Sequence, residues 1–128
     1  MRYDPNRYST YDIELAVEHE GQERDVETLI NEEVQHLIDL KARNKVGIFY
    51  PRLGEETDLI ERIQQKIKNQ SGDMKLPYEK HLIILGYATF RQGKRSILFK
   101  GFIFNNQGEI ENQMERIIFQ KTKRARKK

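Results

Sequence analysis

No cysteine occurs anywhere in the 128-residue chain, and that one absence removes disulfides, thiolate metal ligands and a cysteine nucleophile together. Proline and glycine are scarce, at three and eight residues, while apolar residues make up 37% and charged residues 34% of the chain. Such a balance describes a globular protein with a heavily charged surface rather than a disordered one. Long apolar runs are missing as well. The longest, Leu82 to Leu85, is of strand length and far short of the roughly 18 residues needed to span a bilayer, so no membrane partner is expected. The opening Met1-Arg2-Tyr3-Asp4-Pro5-Asn6 is not followed by the apolar stretch of a secretory signal, and a cytoplasmic location is the expectation.

Recognisable catalytic motifs are equally lacking. Ser9, Ser71 and Ser96 have no glycine-flanked elbow to expose a nucleophile. Gly93-Lys94 lacks the glycine five residues earlier, where Ala88 stands, and the hydroxyl residue afterwards, where Arg95 stands, so it is not a phosphate loop. The three histidines, His19, His36 and His81, are too scattered for a zinc site without thiolate help. The expectation is no enzyme and no cofactor.

What is present is an uneven distribution of charge. The formal net charge is +3, from 23 basic and 20 acidic residues. Six of the cations, Lys121, Lys123, Arg124, Arg126, Lys127 and Lys128, fall in the last eight residues without an acid among them. Removing them leaves 17 basic against 20 acidic residues, a mildly acidic body carrying a cationic tail. Segregation of this kind is an electrostatic signature of tails that meet polyanions. The length fits one domain, residues 1–120, followed by a basic tail, 121–128; folding at this size hides roughly two-thirds of the unfolded chain's surface.

Periodicity predicts the elements. Residues 11–18 alternate, with Tyr11, Ile13, Leu15 and Val17 on one side and Asp12, Glu14, Ala16 and Glu18 on the other, a strand with one wet face. After Asp25, a candidate N-cap, Val26, Leu29, Ile30, Val34, Leu37 and Ile38 form one helical stripe, with His36 at its boundary. Val46 to Tyr50 reads as a strand ended by Pro51. A helix beginning near Glu55 to Asp58 buries Leu59, Ile60, Ile63 and Ile67 and closes at Ser71-Gly72. Residues 73–80 read as a loop, and 81–90 and 96–104 as a hairpin across Arg91-Gln92-Gly93-Lys94. Beyond the turn at Asn105 to Gly108, Ile110, Met114, Ile117 and Ile118 suit a third helix, although residues 109–120 also suit a strand. The expected fold is α+β, in the order β-α-β-α-β-β-α: one mixed or antiparallel sheet of about four strands with two or three helices packed on it.

Three functional readings follow. The first is a non-enzymatic accessory protein whose tail binds DNA or RNA by neutralising phosphates, while its body docks on a protein partner or a second copy. Arg91, Lys94, Arg95 and Lys100 around the hairpin are added candidate contacts, beside the rings of Phe99, Phe102 and Phe104. Lys100-Gly101-Phe102-Ile103-Phe104 resembles the opening of the aromatic strand motif in RNA-recognition-motif domains. That likeness covers five residues, departs at Ile103 and breaks at Asn105-Asn106, and in the alternative the two rings belong to the core. The second reading is a protein-binding regulator, inhibitor or assembly subunit without nucleic-acid contact. The third is a metal-dependent nuclease in which Asp12, Glu14 and Glu18, with Glu20 and His19 nearby, supply hard ligands.

Overall fold

The structure is a computed structural model that describes residues 15–70 and 79–119. Five strands, β1 (Leu15–Arg24), β2 (Asn44–Pro51), β3 (Lys80–Arg91), β4 (Lys94–Phe104) and β5 (Ile110–Phe119), form one sheet in the order β1-β2-β3-β4-β5. The first three run parallel to one another and the last two are added antiparallel. Helix α1 runs through Val26–Thr28, Leu29–Val34 and Gln35–Asp39, and its middle turns are wide, with the Gln35 amide reaching back to the Ile30 carbonyl. Helix α2 spans Glu56–Asn69.

Both helices begin and face as their sequences dictate. The Asp25 carboxylate accepts from the Thr28 amide at 3.1 Å, taking up one of the four amides that a helix start leaves without partners. All six residues of the α1 stripe are buried, as are Leu59, Ile60, Ile63 and Ile67 of α2. In α2, Glu56 and Asp58 occupy the first turn and Lys66 and Lys68 the last, which matches the helix dipole at each end. Residues 71 and 72, the expected closure, lie outside the described residues.

Two parallel crossovers, β1-α1-β2 and β2-α2-β3, step across the sheet in the same direction. Because such crossovers are right-handed, both helices land on one face. The core forms beneath them from Phe49 of β2, Ile83, Leu85 and Tyr87 of β3, and Phe102 and Phe104 of β4. Phe102 and Phe104 are thus interior residues, so the rings that resemble an RNA-stacking strand are not presented to solvent. The opposite face of the sheet carries no helix among the described residues.

Three expectations are corrected. Among the described residues the sheet has five strands rather than about four, with two helices. The segment after Gly108 is β5 rather than a third helix, because its residues pair with β4 from Phe104↔Ile110 to Ser96↔Phe119, and that pairing gives the backbone groups along the edge of β4 their partners. A register shift near Ile103 also turns Ile110 toward the core while Met114 and Ile118 face away. Finally, β1 is turned over. Leu15 and Val17 are 57% and 54% exposed, whereas Glu18 lies against α1, 2.7 Å from His36. The alternation was correct, but the half-covered side of this edge strand is the polar one. Tyr11 to Glu14 lie outside the described residues.

The β4–β5 turn is fastened to α2. Asn105 accepts from the amides of Gln107 and Glu109 at 2.9 and 3.0 Å, and Gln64 donates to the Gly108 carbonyl at 3.1 Å. Gly108 has φ +82, and a methyl group there would lie 2.5 Å from the Gln64 carbonyl oxygen. Gly108→Ala is therefore expected to destabilise the fold by about 2 kcal/mol. Chemical denaturation measures this, and an unchanged midpoint would contradict the packing described.

Candidate nucleic-acid interface

The β3–β4 hairpin turns through Gln92 and Gly93, both with positive φ, 55° and 75°. Two central residues of that kind make the tight turn whose twist matches paired strands. The turn brings Arg91 and Lys94 into register, and Phe90 opposite Arg95. Lys94 and Arg95 are exposed, and Phe90 is 72% exposed, an apolar ring displayed beside Arg95. Below them, Thr89 and Ser96 share a 2.6 Å hydroxyl contact that ties the two strands together.

Strand β5 ends at this hairpin. Phe119, 47% exposed, pairs with Ser96, and Ile118 with Ile97. The sequence bearing Lys121, Lys123, Arg124, Arg126, Lys127 and Lys128 lies outside the described residues, but it is covalently joined to a strand end adjacent to Arg95. Arg116, on the same strand, is exposed and pairs with Phe99.

Lys100 belongs elsewhere. It is five residues from Arg95, about 17 Å along a strand, and on the helix-covered side, where its ammonium meets the Glu56 carboxylate at 3.0 Å. The Tyr87 hydroxyl donates to the same carboxylate at 3.0 Å. Burial, reinforced by Glu56, pushes the Tyr87 phenol well above its ordinary range. This trio fixes the start of α2 onto β3 and β4, and the structure does not bring Lys100 together with Lys94 and Arg95.

Nor does the acidic group assemble as a metal centre. Asp12 and Glu14 lie outside the described residues. Glu18 and Glu20 face α1, whereas His19 points to the opposite side, 3.3 Å from the Tyr50 hydroxyl. Among the described residues no group of three or more histidine or carboxylate side chains is arranged to hold a metal ion. Glu33 on α1 completes the acidic group, and burial together with the charges of Glu20 and Glu18 raises its carboxyl above the ordinary value. A raised carboxyl disfavours the folded state once it is ionised and has no effect where both states are protonated. Glu33→Gln should accordingly raise the melting temperature near pH 7 and leave it unchanged below about pH 4. Melting curves across pH test this, and an equal gain at both ends would contradict it.

A recess of about 760 Å³ lies between the two helices. Arg62 of α2 bonds Glu27 of α1 at 2.5 Å and Lys66 bonds Gln35 at 2.6 Å. It is a groove bridged by charged and polar pairs, remote from the hairpin.

One constellation escaped the periodicity reading. Lys45 and Glu79 are each 1% exposed and His81 likewise. Lys45 donates to the Ile38 carbonyl at the end of α1 at 2.6 Å and lies 3.3 Å from Glu79, while His81 stands 3.6 Å from the same carboxylate. Burial pushes the Lys45 ammonium below its ordinary value, and the Glu79 charge partly restores it. The available signal was position: Lys45 and His81 are register partners on the inward-facing alternation of Gly47 and Phe49, and of Ile83 and Leu85. Burying charge costs several kcal/mol per ion, and removing one partner strands the other. Lys45→Ala should cost about 3–5 kcal/mol in a denaturation experiment; a loss below about 1 kcal/mol would mean that the ammonium is not engaged.

Compared with protein-family models, with curated proteins and with solved structures, the chain gives no match. The fold therefore defines it only as an α+β protein whose described helices pack on one face of a mixed five-stranded sheet.

Proposed function

We propose that this chain is a non-enzymatic accessory protein that binds nucleic acid at the hairpin end of its sheet, with the basic tail as the main source of affinity. The observation that carries the reading is the segregation of charge: six cations in the last eight residues against a body of net negative charge. Support comes from the strand order, since β5, the strand to which the tail is joined, ends beside the hairpin that exposes Lys94 and Arg95. Lysines and arginines at this density displace condensed counterions from a polyanion, and the net acidity of the rest of the chain disfavours any other mode of approach. The exposed ring of Phe90 beside Arg95 adds a stacking surface suited to single-stranded DNA or RNA, where bases are accessible. Lys100, occupied by Glu56, is left out of this surface.

Binding of labelled single-stranded and duplex oligonucleotides across a salt series tests the proposal. The intact chain should show a logarithmic salt slope of about −4 on single strands and about −5 on duplex if all six tail cations engage phosphates. A chain ending at Gln120 should lose most of that slope and bind far more weakly. Phe90→Ala should cost about 1–3 kcal/mol on single strands and nothing measurable on duplex. Equal binding by the intact and truncated chains would overturn the reading.

A further inference from the structure

The face of the sheet that carries no helix among the described residues is apolar across β2, β3 and β4. Its side chains fall in rows across the strands: His19, Ile48, Ile84, Gly101, Met114 in one and Val17, Val46, Leu82, Ile103, Asn112 in the next. Several remain strongly exposed, with Val17 at 54%, Met114 at 51% and Ile118 at 48%. Singly exposed apolar residues are ordinary, but a contiguous apolar surface of this extent on a monomer is not.

We propose that this face is occupied by a second copy of the chain, stacked sheet on sheet about a two-fold axis parallel to β3. Two arguments select that occupant. The first is area. Five strands about 4.8 Å apart, read over four rows, present a footprint of roughly 600–700 Å², within the range of about 600–1,000 Å² per partner that a stable interface buries. Aligned sheet packing about 10 Å apart is an established way of covering such a surface. The second is charge. The row above those two is bounded by Glu23 on β1, in register with Tyr50, and by Arg116 on β5, in register with Phe99. The Tyr50 ring lies over Gly86, the Phe99 partner on β3, which places the two in one row.

An axis along β3 leaves each row at its own height and exchanges the edges, so the Glu23 of one copy lies over the Arg116 of the other, twice. A single surface is then complementary to itself, as an isologous contact requires. The rim pairs fix orientation rather than supply most of the affinity. In this arrangement both β3–β4 hairpins project from the same end, beyond the row where β1 and β2 stop, so both basic tails leave from one side of the dimer. The dimer does not depend on nucleic-acid binding, and either can fail without the other.

The test uses the full-length chain without nucleic acid. Sedimentation equilibrium at micromolar concentration should give twice the 15.3 kDa chain mass. Val17→Asp and Met114→Lys, at positions already half exposed, should each give a monomer with an unchanged circular dichroism spectrum. Because the chain has no cysteine, Glu23→Cys combined with Arg116→Cys provides the only thiols; about 19 Å apart in one sheet, they can join only between copies. A thiol-reactive bifunctional linker spanning about 10 Å, the separation of aligned sheets, should yield a covalent dimer from the pair and none from Val17→Cys alone. A monomeric mass throughout overturns the proposal and assigns the face to another protein or to the chain's own remaining segments. A dimer that survives Val17→Asp places the interface elsewhere, and self-linking of Val17→Cys in place of the pair overturns the axis.

Discussion

One-sided coverage of the sheet is the constraint on which the remaining structure depends. Two successive right-handed crossovers that advance in the same direction have no choice but to put both helices on the same face. The core is then a single layer between α1, α2 and the inward side chains of β2, β3 and β4. The other face receives nothing from the described elements, yet Ile48, Ile84, Phe99 and Ile103 still populate it. Antiparallel addition of β4 and β5 widens that surface without covering it, because a hairpin extends a sheet sideways rather than adding a layer.

The charged residues divide between two environments with opposite consequences. Lys45, Glu79 and His81 lie where the first turns of β2 and β3 meet the end of α1, and their burial makes the exact placement of those three segments costly to disturb. Arg62 with Glu27, and Lys80 with Glu111, sit at the surface, where ion pairs contribute little to stability. The hairpin is different again: Lys94 and Arg95 are exposed beside an exposed ring. That combination of exposed charge and exposed ring is the ground on which the proposed polyanion contact is assigned to this end of the sheet.

Much of the architecture was legible because it is local. The α1 and α2 stripes, the Asp25 cap, the β3–β4 hairpin and the alternation in β1 all follow from spacing and turn chemistry over a few residues. Misreadings arose where a partner far along the chain decided the outcome. Residues 110–119 suit two periodicities, and pairing with β4 chose between them. The alternation of β1 carries no mark of which side meets α1, so Leu15 and Val17 were assigned inward although Glu18 is the residue that meets His36. Lys100 looks like a neighbour of Arg95 in sequence, but strand alternation and Glu56 take it to the other face.

By itself the sequence determined the element types of the described residues as far as Phe104, the identity of most core residues, the lack of thiol chemistry and the segregation of positive charge, since each is a property of composition or short-range order. Tertiary structure alone decided that the described helices leave one sheet face to itself, that Lys45 and Glu79 are buried together, and that β5 ends beside the hairpin. Each of those depends on which strands become neighbours, and strand order is set by contacts between residues that the chain itself keeps far apart.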